Sequence, residues 1–559
     1  DFFALGGNSL VATQVVSRLG QALDASVGVR ELFEASTVEG LAARIGELVG
    51  RGALSALVPQ TRPAQVPLSF AQQRMWFLNR FDTASTVNNI PVAVRLAGSL
   101  DVDALSTAIL DVITRHEALR TLYPEIEGIG YQQILEPESV ELALDVVRID
   151  NEQLNAELYT FFAEPFDVTV EVPLRAKLFQ VADSEFVLSF VIHHISTDGF
   201  SMGPLTRDVM TAYFARSNGQ APVWTPLPVQ YADYALWQRE VLGSEDDPES
   251  IVAKQITYWS DTLADLPEQL DLPSDRTRPE TASGSGANHT FEIDPQLWAE
   301  VEATGTAANA TPFMVVHSAL AVLLARMSAT TDIAIGAPIA GRGEAELDDL
   351  IGMFVNTLVL RTEVDPSMLF TDLLASTREV DLQAFAHADV PFERLVEALD
   401  PVRSQAHHPL FQVALTFQNL GQSALELPGL TAGAVEFDAA VAKFDLQFTL
   451  EESDENSMSV TLTYATDLFD ASTAATLADR FLRILRGVVA DPAVAVGDVD
   501  VLVEGERNLL SEFSASSADS GVESTLPAWF DGAVARFGDR TAVRFGDETL
   551  TYGELSDRA

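Results

Sequence analysis

The sequence contains no cysteine. That excludes a disulfide framework, a thiolate metal site and a cysteine nucleophile, and it suits a reducing, cytoplasmic setting. Positive charge is scarce as well: 34 lysines and arginines stand against 82 aspartates and glutamates, a net charge of −48. Such a surface repels phosphate backbones and anionic lipid, so neither a nucleic-acid nor a membrane partner is expected; solubility, or adaptation to salt, accounts for the acidity. No stretch approaches the ~20 consecutive apolar residues of a membrane-spanning helix. Asp1-Phe2-Phe3 is not the basic-then-apolar opening of a secretory signal. The chain begins without methionine and stops in mid-pattern at Ala559, which reads as a piece of something longer. Its length suits about three to five compact units.

What is present divides along the chain. Leu10, Val11, Val15, Leu19 and Leu23 recur at helical spacing. Ser36-Thr37-Val38-Glu39 has the S-x-x-E form of a capping box, with Leu41, Ile45, Leu48 and Val49 as the apolar stripe behind it. A loose segment holding Gly52, Pro59, Pro63 and Pro67 follows as a linker. From Leu68 the pattern is mixed α/β. Helical spacing over Ser69–Asn79, Asp103–Arg115, Met202–Ala215 and Pro312–Met327 is interspersed with strand-like runs at Val92–Leu96, Phe186–His194, Ile333–Ile339 and Val413–Phe417. Ser511–Ser524, rich in serine and acid, reads as a second linker. Beyond it lie a short helix, Leu526–Phe537, and a hairpin, Thr541–Thr551, turning at Gly546-Asp547.

Two constellations carry chemistry. In Gly6-Gly7-Asn8-Ser9-Leu10 two glycines allow close approach and Ser9 falls where a helix begins. An isolated serine there would be a helix cap; an exposed hydroxyl at a helix N-terminus also suits attachment of a phosphate-linked group. The second is His193-His194-Ile195-Ser196-Thr197-Asp198-Gly199, at the end of an alternating run that puts Phe186, Leu188, Phe190, Ile192 and His194 on one strand face and His193 on the other. Two packed histidines are one reading. A metal held by His194 and Asp198 lacks a third ligand of suitable spacing, so no metal is expected.

Asp1–Leu10 closely resembles the attachment motif of thiolation (peptidyl carrier) domains. The resemblance implies 4′-phosphopantetheine carried covalently on Ser9, a phosphopantetheinyl transferase as partner, and a thiol supplied by that arm rather than by the protein. The His193–Gly199 segment resembles the core motif of nonribosomal peptide synthetase condensation domains, and six further matches surround it in the family's order. They are Ser69–Leu78, Arg115–Thr121, Tyr231–Trp237, Ile351–Thr357, His387–Glu393 with Ala388 where the family usually has glutamine, and Arg403–Leu410 with His407-His408 as a departure. Leu550–Leu555 resembles the opening motif of adenylation domains. Trp76, Tyr234, Phe354 and Phe392 within these motifs are read as packing.

The resemblance implies a domain order of carrier over 1–50, lacking its first helix, then a linker over 51–67. A condensation domain would cover 68–500, with lobes at about 68–237 and 238–500, followed by a linker over 501–525 and a truncated adenylation start over 526–559. The implied fold is α/β (α+β): two lobes, each like chloramphenicol acetyltransferase, arranged as a V, preceded by a small helical bundle. The implied reaction is amide-forming acyl transfer, from a donor thioester on the upstream carrier to the α-amine of an aminoacyl thioester on a downstream carrier. The Leu68–Leu78 segment points to the subtype joining an L donor to an L acceptor. His194 is expected beside the nucleophile, as general base or as an orienting acceptor. Gly199 would permit close approach of the arm or an amide contact to a developing oxyanion. Asp198 would be structural, paired with an arginine such as Arg342, with His193, Arg115 and Arg120 as supports. Upstream and downstream synthetase domains would be partners. Two rivals stand beside this reading: a non-catalytic carrier-docking or recruitment platform, and an acyltransferase with a diffusible acceptor.

Overall fold

In the computed structural model, all residues are described except 6, 8, 26, 47–54, 141, 143, 403, 419–428, 436–439, 454–456, 515–524 and 547. The chain forms two compact units, Asp1–Val501 and Leu502–Ala559.

The first unit opens with the helices Ser9–Leu23, Val29–Glu34 and Val38–Gly46. The third is capped one residue later than the S-x-x-E pattern suggests. Thr37 Oγ1 accepts from the Gly40 N–H at 3.2 Å, while the Ser36 hydroxyl donates to Asp1. Both residues are competent caps, and a tertiary partner draws Ser36 away. Leu48 and Val49 lie outside the described residues.

The segment read as a loose linker is pinned from Ser55 onward. Leu57 is buried, the Trp237 indole N–H donates to the Ser55 carbonyl at 2.5 Å, and Gln60 N–H donates to Asp233 at 3.0 Å. Prolines give this stretch an extended backbone, and distant side chains supply its hydrogen bonds.

Two sheets follow. The first runs in the spatial order Leu430–Ala434, Asn89–Gly98, Glu185–His193, Leu174–Ala182 and Asp145–Arg148. The second runs Asn356–Glu363, Asp332–Ile339, Val413–Gln418, Leu446–Glu452, Met458–Ala465, Ser285–Ile293 and Ala440–Val441. A strand from late in the chain therefore completes the first sheet, pairing antiparallel with Asn89–Gly98. Helices cover both sheets. Pro312–Ser328 begins where Thr311 caps it with Pro312 in the first turn, and it is buried along most of its length. Ala471–Ala490 buries Ala474, Leu477, Ala478, Phe481, Leu482, Leu485 and Val488, the three-and-four spacing of a half-submerged helix.

The second unit holds the exposed helix Glu506–Ser514, inside the stretch read as a second linker. It also holds the helix Leu526–Phe537, the antiparallel pair Thr541–Phe545 and Glu548–Thr551, and the helix Tyr552–Arg558. Gly546 turns that pair with φ +59°. Asp547, like 515–524, lies outside the described residues.

Among the described residues no single helix is long and apolar enough to cross a membrane.

Candidate active site

Glu185–His193 is the middle strand of its sheet, so both of its faces are covered. Phe186, Leu188, Phe190 and Ile192 enter one apolar cluster, and Val187 and Val191 enter another. His193 lies on the second face. It is buried, its Nδ1 accepts from the Ile195 N–H at 3.2 Å, and its ring meets Phe166 edge-on at 5.9 Å. Burial, then His194 and Lys443, pull its imidazolium down to about 3. This ring is committed to packing.

His194 does not continue the strand. It begins the short 3₁₀ turn His194–Ser196, its N–H donating to the Asn88 carbonyl at 2.8 Å. The ring is partly open to solvent, and its Nδ1 is buried without a hydrogen-bond partner. Burial lowers its pKa first and the Lys443 ammonium second. The His194 and Thr197 carbonyls and Asp198 pull the other way, leaving it at about 4. Lys443 is solvent-open yet walled by protein, and its own pKa is lowered by that enclosure and by Arg74.

Asp198 is fully buried and gathers donors from three segments. Oδ1 accepts from the Ser201 N–H at 2.8 Å, the Ser201 hydroxyl at 2.8 Å and Arg342 at 3.1 Å. Oδ2 accepts from the amides of Phe354 at 2.9 Å and Val355 at 3.2 Å. The Gly352 carbonyl lies 3.0 Å from the Ser201 hydroxyl and shares its single proton with Asp198. Arg342 reaches onward to the carbonyls of Leu347 at 2.5 Å and Leu350 at 2.8 Å, with its guanidinium 4.3 Å from the centre of the Phe354 ring. Gly341 adopts φ +62°, and a Cβ there would run into the Phe354 carbonyl, so this approach requires glycine. Asp198 thus joins the His193–Gly199 segment to residues of the other half of the chain.

The remaining sequence candidates separate. Gly199 is exposed with ordinary backbone, and a Cβ would meet nothing there, so the space beside it is open. Arg115 bonds Asp208 at 2.8 Å and the Thr225 carbonyl at 2.8 Å, and Arg120 bonds the Leu135 carbonyl; both brace their own lobe. Trp76, Tyr234, Phe354 and Phe392 are buried. Ser9 opens a 15-residue helix with no acidic side chain in its first turn. At Gly7 a Cβ would collide with the Phe2 ring. A serine opening a helix whose first turn carries no acidic residue fits a phosphodiester-linked group. Gly6 and Asn8 lie outside the described residues, as does Arg403.

A cavity of about 730 Å³ runs from Phe3 and Gly7, beside the Ser9 turn, to Phe200, Tyr234, Arg342 and Phe354. Phe200, the residue after the His193–Gly199 motif, lines it, and no residue of the motif itself does. Among the described residues no group of three His, Asp or Glu side chains is placed to hold a metal.

Sequence reading missed Ser201, Lys443 and the Phe354 and Val355 amides. Asp198-Gly199-Phe200-Ser201 is a capping-box spacing and carried a usable signal for Ser201; the others depend on chain crossing.

The family model described as condensation domain matches residues 63–511, and that described as phosphopantetheine attachment site matches residues 1–45. A dimodular nonribosomal peptide synthase from Bacillus subtilis is 44% identical across 100% of the chain and 24% of its own length. An isonitrile lipopeptide synthase from Mycobacterium tuberculosis is 40% identical across 91% of the chain and 21% of its own length. The chain thus spans a quarter or less of these relatives. The crystal structure of the X-domain from teicoplanin biosynthesis superposes with TM-score 0.75 at 36% identity, over 80% of the chain and 100% of that domain.

Proposed function

Because the chain belongs to the condensation-domain family of nonribosomal peptide synthetases, we propose that it joins a donor acyl group, carried on its own N-terminal segment, to the α-amine of an acceptor aminoacyl thioester. It has the family's two-lobed, chloramphenicol-acetyltransferase-like α/β fold, with a phosphopantetheine attachment segment ahead of it. Ser9 is the attachment residue in this reading. The group supplies a long arm ending in a thiol, on which the donor rides as a thioester. The helix that Ser9 opens steadies the phosphodiester charge.

The observation that carries the reading is the contrast between the two histidines: His193 is bonded and packed, whereas His194 presents a partly open, unpartnered ring. The ring's Nδ1 has no hydrogen-bond partner, so the imidazole keeps a nitrogen free to accept a hydrogen bond from a substrate amine. An α-ammonium has a pKa near 7.7–8.0. Moving its proton to a ring at about 4 is uphill by about 5 kcal/mol. His194 therefore accepts a hydrogen bond from the already neutral amine, aims its lone pair at the donor carbonyl, and holds the proton once the C–N bond has formed. The proton ends on the departing sulfur. Asp198 and Arg342 keep the turn bearing His194 and Gly199 in place.

The L-to-L subtype rests on the resemblance of Leu68–Leu78, and the adenylation start on Leu550–Leu555. We assign the carrier to 1–50 and the condensation domain to 68–500. A phosphopantetheinyl transferase and neighbouring synthetase domains are the partners this reading requires. Loading donor on Ser9, adding acceptor thioester and weighing the product tests it: a new amide is expected, and a fully loaded wild-type chain that yields none overturns it. A recruitment role is the second reading, favoured by the 35% identity to the X-domain solved in complex with OxyB; stable capture of such a partner without amide formation would establish it instead.

A further inference from the structure

Four consecutive residues face two ways. Gly341 lies against the Phe354 carbonyl and Arg342 holds Asp198 and Ser201. Gly343 lies against Ser17 of the first helix, and the Glu344 carboxylate accepts from Ser17 at 3.0 Å and from Gln21. A few residues on, Asp348 pairs with Arg18 of the same first helix, while Asp349 pairs at 2.6 Å with Arg207 in the helix that follows the His193–Gly199 motif. The segment's Leu347 and Leu350 are buried among Tyr231, Tyr234 and Phe354. Elsewhere the N-terminal bundle meets the body through Arg30, which forks onto Glu379 at 2.8 and 3.1 Å, and through apolar residues such as Val29 and Leu32 that share a buried cluster with the body.

We infer that the segment 341–350 is the surface on which the N-terminal helical unit docks, and that it couples docking to the placement of Asp198. This deepens the proposed function and rests on it for its biological meaning. The coupling has a physical basis. Glu344 and Arg342 are two residues apart on a backbone fixed by Gly341, so a shift of the helix Ser9–Leu23 is felt at the guanidinium that pairs with Asp198. The exposed ion pair to Arg18 is individually weak, as suits a carrier that docks and leaves. The Asp198–Arg342 pair to which it couples is buried.

The test uses the whole chain in a Ser9→Ala background, so that no arm confounds the result. Arg18→Glu places a carboxylate beside Asp348 and near Glu344. Hydrogen exchange at the Phe354 and Val355 amides reads the coupling whether or not the chain forms amides. Exchange is expected to quicken by about fivefold or more, and the swap Arg18→Glu with Asp348→Arg is expected to restore it. Amide formation from a diffusible pantetheine thioester should fall and recover in parallel. Unchanged exchange at both amides in Arg18→Glu overturns the coupling. An exchange effect with no amide product from any variant would sustain the coupling and remove the condensation reading instead.

Discussion

Replacing Asp198 with asparagine keeps the side chain's shape and removes its charge and one acceptor. The carboxylate is surrounded entirely by donors: the Ser201 amide and hydroxyl and Arg342 on one oxygen, the Phe354 and Val355 amides on the other. Whichever way the amide is turned, its NH₂ faces two or three of these donors at close range. A buried donor left without a partner costs about 1–3 kcal/mol, and bonds to a charged acceptor are worth about 1.5–3 each. Arg342, itself buried, also loses its counter-charge, a change of about 3–5 kcal/mol when one partner of a buried pair is removed. We expect Asp198→Asn to destabilise the first unit by about 3–5 kcal/mol. The amides of Phe354 and Val355 should exchange about 10–100-fold faster, from a loss of about 1.5–3 kcal/mol at each. Urea unfolding and residue-resolved hydrogen exchange measure the two effects. Exchange within about threefold of wild type at both amides, well short of the 1.5 kcal/mol that losing a charged acceptor implies, would show that the carboxylate does not fasten the seam.

The other expectations concern rings and attachment. His194→Ala should slow amide formation by about 10²–10⁴-fold while shifting the unfolding midpoint little, because the ring is partly open and has no hydrogen-bond partner; His193→Ala should cost stability first. Comparable activity losses in correctly folded forms of both would reverse the assignment. With an acceptor whose amine stays neutral at pH 5, the rate should remain flat down to about pH 5, since burial and Lys443 lower the His194 pKa to about 4 and the neutral ring persists above that value. Lys443→Met removes the second of these causes and should move the acid limb upward. A half-maximal rate near pH 6.5 in the wild type would contradict the lowered value. Ser9→Ala should abolish phosphopantetheinylation with circular dichroism unchanged; an intact-mass adduct in that variant would place attachment elsewhere.

Much of the architecture could be read in advance because periodicity carries burial. The alternation along Phe186–Ile192 divides between two apolar clusters as a doubly covered strand requires. The helix Pro312–Ser328 starts at a threonine cap followed by proline. Local rules misplaced what tertiary partners decide. Ser36 and Thr37 are both good caps, and the carboxylate of Asp1 takes the former. Prolines between Pro59 and Pro67 suggest a loose tether, yet Trp237 and Asp233 hold that backbone to the body. The strand Leu430–Ala434 joins a sheet whose other members all precede it in sequence, and composition offers no sign of that exchange.

The same division runs through the site. His193, His194, Asp198 and Gly199 sit within seven residues of one another, so the sequence brought both candidate rings into view, and the strand end leaves His193 packed while His194 stays partly open. What that imidazole can do was not legible. Its proton affinity is set first by enclosure and then by Lys443, which reaches it from the second sheet's side of the molecule. In the proposed reaction the lowered proton affinity, set first by burial and then by Lys443, favours the orienting acceptor over the general base. A ring near its ordinary pKa of about 6.5 could take the proton from an ammonium at modest cost, whereas one at about 4 must wait for the amine to arrive neutral. In the proposed function the motif supplies the ring, and its burial together with Lys443 sets how readily it takes a proton.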